Sequence, residues 1–182
     1  MKKPTHEEVS AIDLTELHGF IRNGRTADYF NAEPGKEHYK LLAWFSAQFN
    51  KAKLCEIGTL DGCGALALGY NPKNSITTFD VRFYDDVCDF PKNVKSKLVD
   101  EDDAYLEEVI KCPVIFYDTM HDGTLERKFV EDMISRGWKG VVIFDDIYLN
   151  EPMKNFWNEL AVRKEDWTDL GHWSGTGVAF FE

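Results

Sequence analysis

Four apolar stretches of this chain each end in acid. Lys53–Ile57 carries Glu56, with Gly58, Thr59 and Gly62 just beyond it, and Ser75–Val81 carries Asp80. Val114–Tyr117 is followed by Asp118 and, three residues later, His121, while Gly140–Phe144 is followed by Asp145 and Asp146. Chance explains one such ending better than it explains four. Asp118, Asp145 and Asp146 together offer the oxygen donors a hard divalent ion such as Mg²⁺ prefers, with water or substrate hydroxyls completing an octahedron. An ion held there would bind a substrate hydroxyl, orient it and lower its pKa. His121 is the residue type that accepts a proton near neutral pH. Glu56-x-Gly58-x3-Gly62 is a glycine turn that lets a ligand approach the backbone closely. It is not a dinucleotide fingerprint, because Leu60 stands where the second glycine belongs, and no lysine follows Gly62 as a phosphate loop requires. Asp80, about 20 residues past the turn, is placed to accept hydrogen bonds from both hydroxyls of a ribose. The plainer readings are a tight turn for the glycines, a turn and helix cap for Asp145-Asp146, and an exposed turn for His121-Asp122-Gly123.

Those residues need elements to hold them. Leu41, Leu42, Phe45 and Phe49 recur at helical spacing, which predicts an amphipathic helix over 38–49. The period then shortens. Lys53–Ile57, Ser75–Val81, Val114–Tyr117 and Gly140–Phe144 read as buried strands, with Lys95–Val99 a weaker one. Helices are expected at Gly62–Leu68, Ala104–Ile110, Leu125–Ser135 and Met153–Val162, and a terminal strand pair at Trp167–Leu170 and Gly177–Phe181. Short apolar runs alternating with helices are the signature of a parallel sheet covered on both faces. The expectation is an α/β domain over 36–182, a Rossmann-like, doubly wound, mostly parallel seven-stranded sheet ending in an antiparallel hairpin strand. Residues 1–35, punctuated by Pro4, Gly19, Gly24 and Pro34, read as an irregular extension with a short helix within 10–20, a lid or acceptor-site segment. In such sheets ligands bind outside the carboxyl ends of the strands.

Composition sets the outer limits. The chain has 182 residues, 43% hydrophobic and 14% aromatic, enough for a single well-packed domain. A net charge of -11 disfavours nucleic acid as a partner, since backbone binding needs basic surface. No run of apolar residues reaches membrane-spanning length, and MKKPTHEEVS has no apolar segment of the signal-peptide kind. The four cysteines form no CxxC pair and sit in or beside apolar runs, which reads as free thiols and a cytoplasmic setting. Trp138, Trp157, Trp167 and Trp173 read as packing residues. Tyr29, Phe30, Tyr39 and Trp44 are candidates for lining an acceptor site.

The segment Glu56-Ile57-Gly58-Thr59-Leu60-Asp61-Gly62-Cys63-Gly64-Ala65-Leu66-Ala67-Leu68 resembles the first motif of class I S-adenosylmethionine-dependent methyltransferases, in the form seen in small-molecule O-methyltransferases. Asp80 falls where that family places its ribose-binding acid. Phe116-Tyr117-Asp118-x-x-His121 is similar to the family's FIDGDH-type segment, and Lys139–Asp146 to its GGxIxxDD segment. The resemblance spans residues 36–182 and is of the Methyltransferase-24 kind. It implies S-adenosylmethionine as cosubstrate, held by Glu56, Gly58, Thr59, Gly62, Asp80 and Asp118. It implies Mg²⁺ on Asp118, Asp145 and Asp146, with His121 and Asp118 catalytic. The acceptor would be a hydroxyl of a sugar or natural-product scaffold. One departure stands out: the family's second acid in DGDH is Met120 here, which leaves His121 as the matched base. The acid run Asp100-Glu101-Asp102-Asp103 reads as a solvated loop and helix start, with a contact from Asp100 to the adenine amino group as the alternative. Other classes compatible with the sequence are a non-catalytic binder of the same fold and a metal-dependent hydrolase. A homo-oligomer is compatible with either.

Overall fold

The computed structural model describes residues 1–99 and 104–182, so the Asp100–Asp103 expectation lies outside the described residues. Seven strands form one sheet: β1 (Lys53–Ile57), β2 (Ser75–Asp80), β3 (Val94–Leu98), β4 (Val114–Tyr117), β5 (Gly140–Asp145), β6 (Arg163–Asp166) and β7 (Thr176–Phe181). Their order is β3-β2-β1-β4-β5-β7-β6, with β7 antiparallel between β5 and β6 and the first five strands parallel. The helices are α1 (His6–Ser10), α2 (Gly24–Ala27), α3 (Tyr39–Ala47), α4 (Cys63–Leu68), α5 (Leu106–Val109), α6 (Thr124–Ser135) and α7 (Glu151–Glu159), with a 3₁₀ turn at Thr15–Phe20. Among the described residues, no helix is long and apolar enough to cross a membrane.

The two-residue period of the strands sorts their side chains between two cores. Leu54, Val114, Phe116 and Ile143 face one core, shared with Leu41, Leu42 and Phe45 of α3 and with α4. Cys55, Ile57, Ile115, Tyr117, Val142 and Phe144 face the other, shared with Phe129 and Met133 of α6 and Phe156 and Trp157 of α7. This is the doubly wound arrangement expected from the sequence. The same period carries past the strand ends: Asp118 follows Phe116 by two residues and Asp145 follows Ile143 by two. Both acids therefore fall on the α3 side of the sheet.

Three expectations need correction. The penultimate strand is Arg163–Asp166 and not Trp167–Leu170, which forms a turn with Leu170 N donating to Trp167 O at 2.8 Å. Trp167 is fully buried and stacks on Phe45, so its hydrophobicity signals core packing. The edge strand itself is Arg-Lys-Glu-Asp, the charged composition that protects a sheet edge and hides it from an apolar pattern search. The 1–35 segment is not irregular throughout: it holds two short helices and a 3₁₀ turn, and buries Val9, Leu14 and Phe30 in the α3-side core. Trp173 is 69% exposed, unlike the other three tryptophans assigned to packing. All four cysteines are free and buried.

Candidate functional site

The carboxyl edge of the sheet holds the site residues in two groups. The first surrounds the turn after β1. Gly58 has φ +97°, and a Cβ there would stand 1.6 Å from the carbonyl oxygen of Asp118, so only glycine lets this turn close against the end of β4. Asp118 N donates to Ile57 O at 2.9 Å and Gly58 N to Phe79 O at 2.8 Å, which locks β1, β2 and β4 together at this edge. Asp80 anchors the turn: its Oδ2 accepts from Thr59 N at 2.8 Å and Leu60 N at 3.0 Å. Its Oδ1 accepts from Val81 N at 2.7 Å and, weakly, from Arg82 N at 3.4 Å.

Glu56 lies beneath the turn, buried. Its carboxylate accepts from the Thr78 hydroxyl, which pairs in turn with Thr59 Oγ1 at 2.7 Å. Burial pushes the Glu56 carboxyl well above its usual range, against the Thr78 bond that lowers it. Gly64 makes room for it, since a Cβ there would meet Glu56 Oε1 at 2.0 Å. Gly62, with φ +82°, leads into α4. The outer side of the turn is covered by the N-terminal segment. Thr26 Oγ1 donates to Asp61 Oδ2 at 2.6 Å, Asp89 N to Phe20 O at 2.8 Å, and Arg22 pairs with Asp89.

The second group is a run of alternating acids and histidines. His121 Nε2 lies 3.1 Å from Asp118 Oδ1 and 3.4 Å from Asp146 Oδ2. His172 Nδ1 lies 3.1 Å from Asp146 Oδ1 and 3.6 Å from Asp145 Oδ2. His38 Nδ1 lies 3.3 Å from Asp145 Oδ1. Ser174 donates to Asp146, and Glu37 Oε2 stands 3.8 Å from His172 Nε2. Burial alone would push these imidazoles down, but the carboxylates outweigh it: His121 is raised to about 8 and His172 to about 10, and His38 is raised as well. For Asp145 burial would raise the carboxyl, and the charges and hydrogen bonds of His38 and His172 hold it below its usual range. Asp118 goes the other way, raised by burial more than the His121 bond lowers it.

Local backbone geometry sets up this group. Leu60, His121 and Asp146 have φ of +45°, +53° and +57°, so the turns after β1, β4 and β5 each hold a left-handed non-glycine residue. Such conformations are costly and persist where surroundings over-determine them. At His121 the carbonyl accepts from Asn150 Nδ2 at 2.8 Å, while Asn150 Oδ1 caps α7 through Met153 N at 2.9 Å. That cap replaces the Asp145-Asp146 cap of the plainer reading, and Asp122 caps α6 through Thr124 N and Leu125 N. Large apolar side chains stand exposed around this edge: Leu60, Val81, Phe83, Met120, Tyr148 and Trp173.

Of the residues singled out from sequence, Gly58, Thr59, Gly62 and Asp80 lie together at the first turn, with Glu56 below them. Asp118, His121, Asp145 and Asp146 lie together in the second group. The His121 ring sits between Asp118 and Asp146, so those two acids reach it before they reach each other. His38, His172, Glu37 and Ser174 were missed. His38 precedes a core helix and His172 sits in the β6–β7 turn, and neither place carries a motif. Of the aromatic candidates for an acceptor wall, Phe30 is fully buried and Tyr29 exposed, while Tyr39 packs on the His38 ring.

No protein-family model matches the chain, and no curated protein matches it. Solved structures do. A methyltransferase of Podospora anserina with S-adenosylhomocysteine bound superposes with a TM-score of 0.58 at 16% identity, covering 100% of this chain and 99% of that one. An O-methyltransferase of Bacillus cereus in complex with S-adenosylhomocysteine gives a TM-score of 0.55 at 13% identity, over 98% of this chain and 92% of that one. With the strand order, the antiparallel β7 and the glycine turn after β1, these likenesses give the chain the fold of the class I S-adenosylmethionine-dependent methyltransferases.

Proposed function

We propose that the chain transfers a methyl group from S-adenosylmethionine to a hydroxyl of a small molecule of sugar or natural-product type. The observation that carries this reading is one sheet edge holding both an acid-anchored glycine turn and, beside it, a histidine set between two strand-end acids. The S-adenosylhomocysteine bound in the Bacillus cereus O-methyltransferase, a structure of the same fold, supports the cosubstrate. S-adenosylmethionine, when bound, supplies an electrophilic methyl group.

The chain's own residues then have three tasks. Asp80 would receive a ribose hydroxyl on Oδ1, the long Arg82 N contact being the one that yields. Gly58 and Thr59 would bring backbone close to the cosubstrate, with Glu56 and Thr78 fixing the turn from below. His121, in its neutral form, would accept the acceptor's proton on Nδ1, because Nε2 donates to the Asp118 and Asp146 carboxylates, and Asp118 would steady the resulting imidazolium. Exposed Val81, Phe83, Leu60 and Met120 offer apolar surface for the adenine and the acceptor. Residues 20–30, tied to Asp61 and Asp89, would form one wall of the site. Metal assistance belongs to the same reading, but Asp118, Asp145 and Asp146 do not converge on one point among the described residues, and Mg²⁺ on all three would require the His121 ring to leave the space between Asp118 and Asp146.

The test is calorimetric titration with S-adenosylhomocysteine, with and without Mg²⁺. Micromolar binding that Asp80→Ala abolishes supports the cosubstrate site, and an acceptor screen follows. Binding without turnover of any acceptor would favour a non-catalytic binder, and metal binding without S-adenosylhomocysteine a hydrolase. No binding in either condition sinks the methyltransferase reading.

A further inference from the structure

We infer that His38, Asp145 and His172 form a binding site for a first-row transition-metal ion such as Zn²⁺, built from two imidazoles and a carboxylate. One donor atom from each of the three residues lies within 4.8 Å of the others. Two of those residues are almost wholly removed from solvent, at 5% and 3% exposure for His38 and Asp145. Within that enclosure His38 Nδ1 and Asp145 Oδ1 face each other at 3.3 Å as an ion pair without a well-aligned hydrogen bond, and neither has another hydrogen-bond partner among the described residues. A buried donor or acceptor left unmatched is costly. The separation has a simple meaning for a cation: two ligand atoms each about 2.1 Å from one ion stand roughly 3.0–3.4 Å apart at angles of 90–110°. A bound ion would replace the proton between His38 and Asp145 and coordinate both atoms at once.

The surroundings are those of a ligand set and its supports. Asp145 presents its second oxygen 3.6 Å from His172 Nδ1. The same Nδ1 lies 3.1 Å from Asp146 Oδ1 and 2.7 Å from Ser174 Oγ, contacts that an ion bound at Nδ1 would displace, while Glu37 Oε2 stands 3.8 Å from Nε2, the nitrogen through which it would orient the ring. Phe116 and Tyr39 pack on the His38 ring and hold it in place. Two imidazoles suit Zn²⁺, Cu²⁺, Fe²⁺ or Ni²⁺ better than Mg²⁺, Ca²⁺ or Mn²⁺, which suit oxygen donors. This set shares only Asp145 with the Asp118, Asp145, Asp146 arrangement read from the sequence. The site stands whether or not the chain transfers methyl groups. A role in polarising an acceptor hydroxyl rests on the function proposed above.

The experiment uses the full chain stripped with chelator and titrated calorimetrically with Zn²⁺ and, separately, Mg²⁺, with S-adenosylhomocysteine affinity measured on the same samples. The expected result is one Zn²⁺ per chain, bound more tightly than Mg²⁺, with His38→Ala and His172→Ala each weakening Zn²⁺ by at least about tenfold. Because His38→Ala opens a buried space, X-ray absorption of Zn²⁺-loaded wild-type chain gives an independent reading, with scattering from two imidazoles expected. No stoichiometric Zn²⁺ binding, a spectrum without imidazole, or Zn²⁺ affinity that falls with Asp118→Ala but not with either folded histidine variant would overturn the site. S-adenosylhomocysteine binding reports on the methyltransferase reading separately, so the two can fail independently.

Discussion

At the residue scale the molecule concentrates its unusual chemistry where acids and imidazoles alternate. His121 shows the balance most clearly: burial disfavours its charged form, and the Asp118 hydrogen bond with the nearby carboxylates overcomes that burial. In the metal-stripped chain its imidazole resonances should titrate with a midpoint near 8, and Asp118→Asn should move that midpoint down. A titration at an ordinary histidine value in both proteins would contradict the geometry. The sign for stability follows. A histidine raised from its unfolded value, about 6.5, to about 8 contributes fully below the first value and loses that contribution as pH rises through the second. If His121 is the base, His121→Ala should reduce methyl transfer by about 10²–10⁴-fold while leaving S-adenosylhomocysteine affinity near wild type.

Single side chains act here because elements hold them in place. Asn150 belongs to two elements at once, capping α7 with its carbonyl oxygen and holding the His121 carbonyl with its amide. Asn150→Ala should cost about 1 kcal/mol by chemical denaturation through the lost cap. Asn150→Asp keeps the cap oxygen but loses the amide donor. It should recover most of that stability and still lower turnover by displacing the His121 loop. Equal turnover in Asn150→Asp and wild type would mean that the loop is held by other contacts. The strands work in the same way, since their two-residue alternation turns Asp118 and Asp145 toward the N-terminus of α3, where His38 waits.

The whole molecule decides what the first 35 residues are for. Phe30 is fully buried in the α3-side core beside Leu41 and Leu42, and α2 reaches the glycine turn through Thr26 and Asp61. The segment is thus a packed part of the domain. Phe30→Ala should cost about 3–5 kcal/mol, a loss seen as a single cooperative transition at lower denaturant. A separate early transition, with the main one unchanged, would show that the segment folds independently of the sheet.

The fold was legible in the sequence because its signals are local. Strands buried on both faces read as short apolar runs, α3 reads as a period near 3.6, and Gly58 and Gly62 mark a turn whose backbone only glycine tolerates. The acids at the strand ends were legible for the same reason, since the end of an apolar run is visible in one dimension. The charged edge strand β6 was not, because an edge needs no apolar side chains. Nor were His38 and His172, which lie near opposite ends of the chain in segments without pattern. They meet at Asp145 only because β5 lies beside β7 and the last hairpin turn comes back over the sheet edge where α3 begins. Sequence fixes what each strand delivers at its end; tertiary packing alone decides which distant imidazoles those acids meet, and so which ion the site can hold.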